Sequence, residues 1–344
     1  MNPLGPRPAI LIVRLGALGD IIHAIPAAAA LRAAYPNARI DWLVDAKHAE
    51  ILELVTVVDR LLVLEKPTLR AWIHATRMLR AGRYDVALDF QGLMKSAVLA
   101  RASGARRVLG FSIWHLREKS ARPFYSESVD VAAGPAGDRH VMHKNLRLLE
   151  GLGITGAAIE FPLARVASPA RDLITAQAAG KPYALLNPGA AWPNKRWDAQ
   201  RFGELASFLR DVRGLVPFVL WGPAEAPLAQ AVVDASGGAA VLAPPTRLAD
   251  LVEISRGASL MVSGDTGPLH IAAAVGTPIV SIFGPTDPSR NGPWLEADIA
   301  VSRYGACGCH YDRECHQREW CLGTVPVSEV TAAVQHRLGR HEPG

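Results

Sequence analysis

The 344-residue chain contains no run of about 20 apolar residues, the length a helix needs to cross a bilayer. Its richest apolar stretch, Leu269 to Phe283, is interrupted by His270, Gly276 and Pro278. Near the amino terminus, Ala9 to Val13 is too short for a signal-peptide core, and Arg14 closes it. A block of clustered Lys and Arg with interleaved aromatics is also missing, which argues against a nucleic-acid partner. Cysteine is scarce. The four present all fall between Cys307 and Cys321, so an exported scaffold stapled by disulfides is not expected. The fingerprint G-x-G-x-x-G does not follow the first apolar strand, which argues against a nicotinamide-dependent dehydrogenase.

What is present is a globular composition, with 49% hydrophobic and 20% charged residues. The net charge is +5, from 37 Lys and Arg against 32 Asp and Glu. That surplus is modest, and it is available for phosphates or an anionic membrane surface. The expectation is a cytoplasmic protein of two domains, because domains run to roughly 150 residues.

The order of elements predicts α/β architecture. Ala9 to Arg14 reads as a buried parallel strand, followed by a Gly-containing turn and an Ala-rich helix from Asp20 to about Tyr35. Arg39 to Val44, Asp85 to Asp89 and Arg107 to Gly110 read as further strands with helices between them. A second series follows a Gly/Pro/Ala-rich passage: Tyr183 to Asn187, Pro217 to Trp221, Leu260 to Ser263 and Pro278 to Phe283. The expected domains are 1–170 and 171–325, with a helical tail over 326–344. Ligands of such folds bind beyond the carboxyl ends of the strands, so the loops there are the candidates for chemistry.

In the first half, Gly16-Ala-Leu-Gly19-Asp20 follows the first strand. Asp20 reads either as a helix N-cap or as a general base. Asp89-Phe-Gln91-Gly-Leu-Met-Lys95-Ser96 ends another strand, and Arg117-Glu118-Lys119 lies in a charged loop. In the second half, Asn187-Pro-Gly189 leads to Lys195-Arg196-Trp197, a Gly/Pro-shaped turn with paired cations that suits a diphosphate. Glu225, after Trp221-Gly-Pro, is either a ribose ligand or a first-turn helix acid. Asp265-Thr266-Gly267-Pro-Leu-His270 opens an Ala-rich helix whose free amides suit a phosphate, and Gly284-Pro-Thr-Asp-Pro288 follows the next strand.

Together these motifs resemble glycosyltransferase family 9, the heptosyltransferases that use ADP-heptose to build lipopolysaccharide. The resemblance runs from about residue 8 to residue 330. It implies a GT-B fold, two Rossmann-like domains facing a central cleft, with acceptor bound by the first and nucleotide sugar by the second. It further implies an inverting transfer that needs no cofactor and no catalytic metal. Asp20 matches the general base. Asn187, Gly189, Lys195, Arg196, Asp265, Thr266, Gly267 and His270 match the donor-binding segments. Gly19, Gln91, Lys95, Ser96 and Arg117 match the acceptor side. Glu225 departs from the pattern, standing one residue nearer Trp221 than its counterpart in heptosyltransferase I. Gln91 to Ser96 and the Arg117-Glu118 pair otherwise look closest to that enzyme, which adds the first heptose to Kdo on lipid A. Such an acceptor implies a peripheral enzyme of the inner face of the inner membrane, with Arg32, Arg39, Arg70, Arg77, Arg80 and Arg83 available to meet it. The alternatives are a type II or III heptosyltransferase, a family member using another nucleotide sugar, and a non-catalytic binding protein.

Cys307, Cys309, Cys315 and Cys321 leave three readings open: packed thiols, a disulfide, or a structural metal site.

Overall fold

The computed structural model describes residues 4–65, 68–132 and 139–339. Two compact units divide between Ala164 and Arg165. The division precedes the expected one after residue 170, because the segment beyond Ala164 is tied to the second unit. There the Ser168 hydroxyl accepts from Arg171 N–H to cap the helix Pro169–Ala178, and it donates to Asp250.

The first unit holds a six-stranded, all-parallel sheet: β1 (Ala9–Val13), β2 (Arg39–Asp45), β3 (Arg60–Leu64), β4 (Val86–Asp89), β5 (Arg107–Phe111) and β6 (Glu127–Val129). Their order across the sheet is β3-β2-β1-β4-β5-β6. The second unit repeats the plan with β7 (Tyr183–Asn187), β8 (Val216–Val219), β9 (Val241–Leu242), β10 (Leu260–Gly264), β11 (Ile279–Phe283) and β12 (Ile299–Ser302), in the order β12-β11-β10-β7-β8-β9. Both orders are those of a dinucleotide-type Rossmann sheet, and each reverses direction at one point. That point lies between β1 and β4 in the first unit and between β7 and β10 in the second.

The strands form where they do because both faces of a parallel sheet are covered by crossover helices, which favours near-continuous apolar runs. Ile10 to Val13 are fully buried, as are Ala184 to Leu186 and Leu260 to Val262. Four edge strands, β3, β6, β9 and β12, are additions to the sequence expectation. The helix expected from Asp20 to Tyr35 is two pieces, Leu18–Ile22 and Ile25–Ala34. Among the described residues no helix is long and apolar enough to cross a membrane.

The expected tail is an integral layer of the second unit. Helix Val327–Leu338 places Val330 and Val334 in the unit's apolar core. Arg337 Nε donates to Asp298 Oδ1 at 2.8 Å, and the same oxygen accepts from Ile279 N–H of β11. The Asp298 side chain is wholly buried, and burial pushes its carboxyl up against the pull of Arg337. Arg337→Ala strands that carboxylate, so we expect a loss of about 3 kcal/mol in urea denaturation. Recovery of part of that loss in Arg337→Ala/Asp298→Asn checks the assignment to the ion pair.

Candidate active site

In the first unit the chain leaves β1 through Arg14, Leu15 and Gly16 and enters the short helix Leu18–Ile22. A side chain at residue 16 would press on the His48 ring, at 2.9 Å, and glycine lets that ring sit against the turn. Asp20 lies in the first turn of that helix, whose N-cap is Ala17, so the capping role expected as one reading of Asp20 is not the one observed. Its carboxylate instead forms an ion pair with Arg14 at 2.5 Å and stays partly open to solvent. Arg14 is itself fixed by a hydrogen bond to Phe90 O just beyond β4. The Gln91 side chain accepts from Leu15 N–H at 2.8 Å, closing the same junction from the other strand. Asp20 and Gln91 are thus brought together at the point where the strand order reverses, with Gly19 beside Asp20 in the same turn.

Beneath them lies Asp89, fully buried at the end of β4. It accepts from Gln91 N–H (2.8 Å), Gly92 N–H (3.3 Å), Ser96 Oγ (2.8 Å) and Tyr125 Oη (2.8 Å). Burial pushes its carboxyl above the usual range, and these donors only partly offset that. Ser96 is fully buried, donating to Asp89 and accepting from Leu93 N–H. It shapes the loop from inside and is not an acceptor-facing group as the motif suggests. Lys95 faces outward and pairs with Asp45 at 3.2 Å, while Arg117 is exposed. The Arg117 loop is stitched to the Gln91 loop, because Glu118 N–H donates to Gly92 O and Glu118 Oε2 accepts from Met94 N–H.

In the second unit, β7 ends at Asn187, whose Nδ2 donates to Ser263 Oγ (2.9 Å), Thr266 Oγ1 (3.0 Å) and Gly189 O (3.2 Å). This amide locks the β7 and β10 loops together at the reversal point. At Gly189 the Glu225 carboxylate comes so close that a Cβ would displace it. Glu225 precedes the helix Ala226–Ala235 and accepts from Gly222 N–H at 3.0 Å, which places its carboxylate over the β7 loop. Close approach also dictates Gly264, where a Cβ would sit 2.8 Å from Lys195 O.

Lys195 Nζ lies 2.6 Å from Asp265 Oδ2 and 4.3 Å above the Trp192 ring, while Arg196 Nε donates to Ala190 O. Asp265 is almost wholly buried and also meets His270 Nε2 at 3.3 Å and Asn291 Nδ2 at 3.4 Å. Burial alone would raise its carboxyl, but the His270 bond and the Lys195 charge outweigh that and hold it well below the usual carboxylate range. Thr266 is the N-cap of helix Gly267–Ala274, yet its hydroxyl is engaged by Asn187 and Ser263 and does not cap the helix. The amide end of that helix therefore keeps its capacity to meet an anion, with Lys195 alongside.

The four thiols are free. Cys309 Sγ lies 3.6 Å from Cys315 Sγ, and Cys307 adjoins Cys321. Burial pushes the Cys321 thiol up to about 12. Among the described residues no group of three or more His, Cys, Asp or Glu side chains is placed to hold a metal ion. The thiols nevertheless gather in one place, with Cys307, Cys315 and Cys321 lining a single pocket.

Sequence reading missed Arg14, Tyr125 and Asn291. Arg14 carried a signal, a cation ending an otherwise apolar strand six residues before Asp20. Tyr125 and Asn291 carried none, since they reach their carboxylates from other loops.

Because Asp265 is held below its unfolded value, its contribution to stability is complete above about pH 4 and is lost as the pH falls below that. Lys195→Met leaves the buried carboxylate without its cation. We expect a loss of about 3 kcal/mol at neutral pH and an acid-unfolding midpoint shifted to higher pH, both readable by circular dichroism.

Comparison with known proteins bears on both units. The pattern of glycosyltransferase family 9 (heptosyltransferase) matches residues 72–321. Lipopolysaccharide heptosyltransferase 1 of Pseudomonas aeruginosa is 30% identical over 320 residues, covering 89% of this chain and 87% of that one. Among solved structures, the family 9 glycosyl transferase of Veillonella parvula superposes with a TM-score of 0.78 at 22% identity, covering 96% of this chain and 97% of that one. The E. coli heptosyltransferase WaaC with ADP gives 0.75 at 23% identity, covering 96% and 99%. Two Rossmann-type units of GT-B kind, the motif loops at both reversal points and these matches agree: the chain belongs to glycosyltransferase family 9, the heptosyltransferases.

Proposed function

We propose that the chain transfers heptose from ADP-heptose to the Kdo of a lipid A inner core, as a heptosyltransferase of type I that inverts the anomeric carbon without a metal. The observation that carries this reading is Asp20, a partly open carboxylate oriented by Arg14 at the first unit's reversal point. The relative from P. aeruginosa, a heptosyltransferase 1, supports the choice of type. The family pattern begins at residue 72, so the role of Asp20 rests on its geometry and on the G-x-x-G-D motif.

In this mechanism the acceptor lies on the first unit, with Gln91 fixing the junction and Lys95 and Arg117 supplying charge for acidic Kdo groups. Its hydroxyl attacks the anomeric carbon of the heptose, and Asp20 accepts the hydroxyl proton. The bond between that carbon and the diphosphate oxygen breaks, and the electron pair leaves with ADP. Lys195 and the amides opening helix Gly267–Ala274 stabilise the charge that develops on the diphosphate. Arg196 adds charge beside them. Asp265 and His270 hold Lys195 in position, and Glu225 over the β7 loop is available to ribose hydroxyls. The enzyme then works as a peripheral protein at the inner face of the inner membrane.

Asp20→Ala tests the central step. We expect transfer to fall by about 10²–10⁴-fold while ADP-heptose binding, followed by calorimetry, stays within about twofold of wild type. Undiminished transfer would remove Asp20 from the mechanism. Offering Kdo-lipid A and an already heptosylated core side by side separates type I from types II and III.

A further inference from the structure

The helical layer on one face of the first unit's sheet exposes an unusual surface. It consists of helix Leu69–Ala81, helix Met94–Ala102 and the segment 113–124, which pack together over one apolar core. Over these three segments the sequence places eight Lys and Arg residues and one carboxylate, Glu118, in a chain whose whole surplus is only five. Glu118 is occupied by Met94 N–H. Arg77, Arg80, Arg101, Arg117 and Lys119 are exposed.

The same layer exposes large apolar side chains. Trp114 is 78% exposed, and Ile73, Met94 and Ile113 on the same layer are each exposed by 40% or more. Water is an unfavourable neighbour for so much apolar surface, and Trp with flanking cations is the pairing that settles at a lipid headgroup boundary. Position reinforces chemistry. Ile113 and Trp114 follow the carboxyl end of β5, and Met94 follows that of β4, on the rim that also carries Gln91 and Asp20. The loop is braced from within, because Lys144 Nζ donates to His115 O and lies over the Phe111 ring, and His115 pairs with Asp130. A braced loop holds Trp114 outward without needing to unfold.

We propose that Trp114, Ile113 and Met94, with Lys119 and the exposed arginines of this layer, form a docking surface for an anionic phospholipid bilayer. The proposal deepens the reading of the first unit as the acceptor side and rests on it for its purpose. A glycolipid acceptor anchored in the bilayer would then present its sugars to the rim that carries Asp20. The surface differs from the arginines the sequence suggested. Arg32 is bound to Asp59 and Pro36 O, and Arg39 to Asp41 and Gly82 O, while the Arg70 side chain lies outside the described residues. Of that set Arg77 and Arg80, exposed on helix Leu69–Ala81, remain in the docking surface.

The test is co-sedimentation of the full chain with vesicles of phosphatidylcholine alone and of phosphatidylcholine mixed with phosphatidylglycerol. We expect binding to the mixed vesicles that weakens as salt is raised. Lys119→Glu and Trp114→Ser should each lower that partition by about tenfold. Both side chains are exposed, and circular dichroism confirms that the variants fold. Transfer to a lipid-free acceptor should be unchanged in Trp114→Ser, while transfer to an acceptor embedded in mixed vesicles falls. Equal binding to neutral and mixed vesicles, or wild-type partition by Trp114→Ser, overturns the proposal. So does lipid-independent self-association abolished by Trp114→Ser, which assigns the patch to a second copy of the chain. Vesicle binding that persists in a wild-type chain unable to use any Kdo acceptor upholds the docking surface and rejects the acceptor reading.

Discussion

A parallel strand covered on both faces by helices has no room for an unpartnered polar side chain along its length. Polar chemistry is pushed to the strand ends, and the carboxyl ends are where the chain turns into loops and helices that offer free amides. Where the strand order reverses, the two neighbouring strands send their connections to opposite sides of the sheet and leave a crevice. Both units of this protein obey that constraint at the same place. Val13 and Asp89 are paired neighbours in the first sheet, and Ser263 and Asn187 are in the second. In each unit the candidate site residues are arranged around its own pair.

The units solve the cost of burying a carboxylate at these ends in opposite ways. Asp89 is surrounded by four uncharged donors, and its carboxyl remains pushed up by burial. Such a group organises loops, since each donor that meets it is fixed in direction. The Gln91 and Gly92 amides, Ser96 and Tyr125 therefore form a rigid floor under the more open Asp20. Asp265 is instead matched by Lys195 and His270, and its carboxyl is held down. It remains a charge, and it holds a cation beside a helix amide end. The first arrangement suits a floor beneath a proton-accepting group, and the second suits a site for a phosphate-bearing ligand.

These arrangements were unequally legible in the sequence. The eight interior strands are apparent because burial on both faces leaves continuous apolar runs. The edge strands are not: Val241–Leu242 is too short for periodicity, and Leu61-Leu62-Val63-Leu64 reads equally well as a turn of buried helix. Motif loops are visible because glycine, proline and charge cluster within a few residues. Hidden from the sequence are the long-range partners, such as Tyr125 with Asp89 and Asn291 with Asp265, since only the fold brings them together. The same reason explains Ser96, which stands in a motif of apparent ligands yet turns inward to Asp89.

Charge distribution follows the same logic. A net surplus of five says nothing about placement, and most of the cations in the motif loops are already matched by neighbours. Lys195 faces Asp265, Lys95 faces Asp45, and Arg14 faces Asp20. Pairing within the site leaves its net charge small, so substrate phosphates and acids are met by directed groups rather than by a diffuse positive field. Exposed cations with a single carboxylate among them lie on one helical layer of the first unit beside Trp114, and Arg117 at its rim stands where that surface meets the acceptor side. Continuity of charge from surface to rim lets the layer attract anionic lipid and pass its sugars toward Asp20. That continuity depends on the layer carrying almost no carboxylates, a constraint that acts on surface positions having no role in the core.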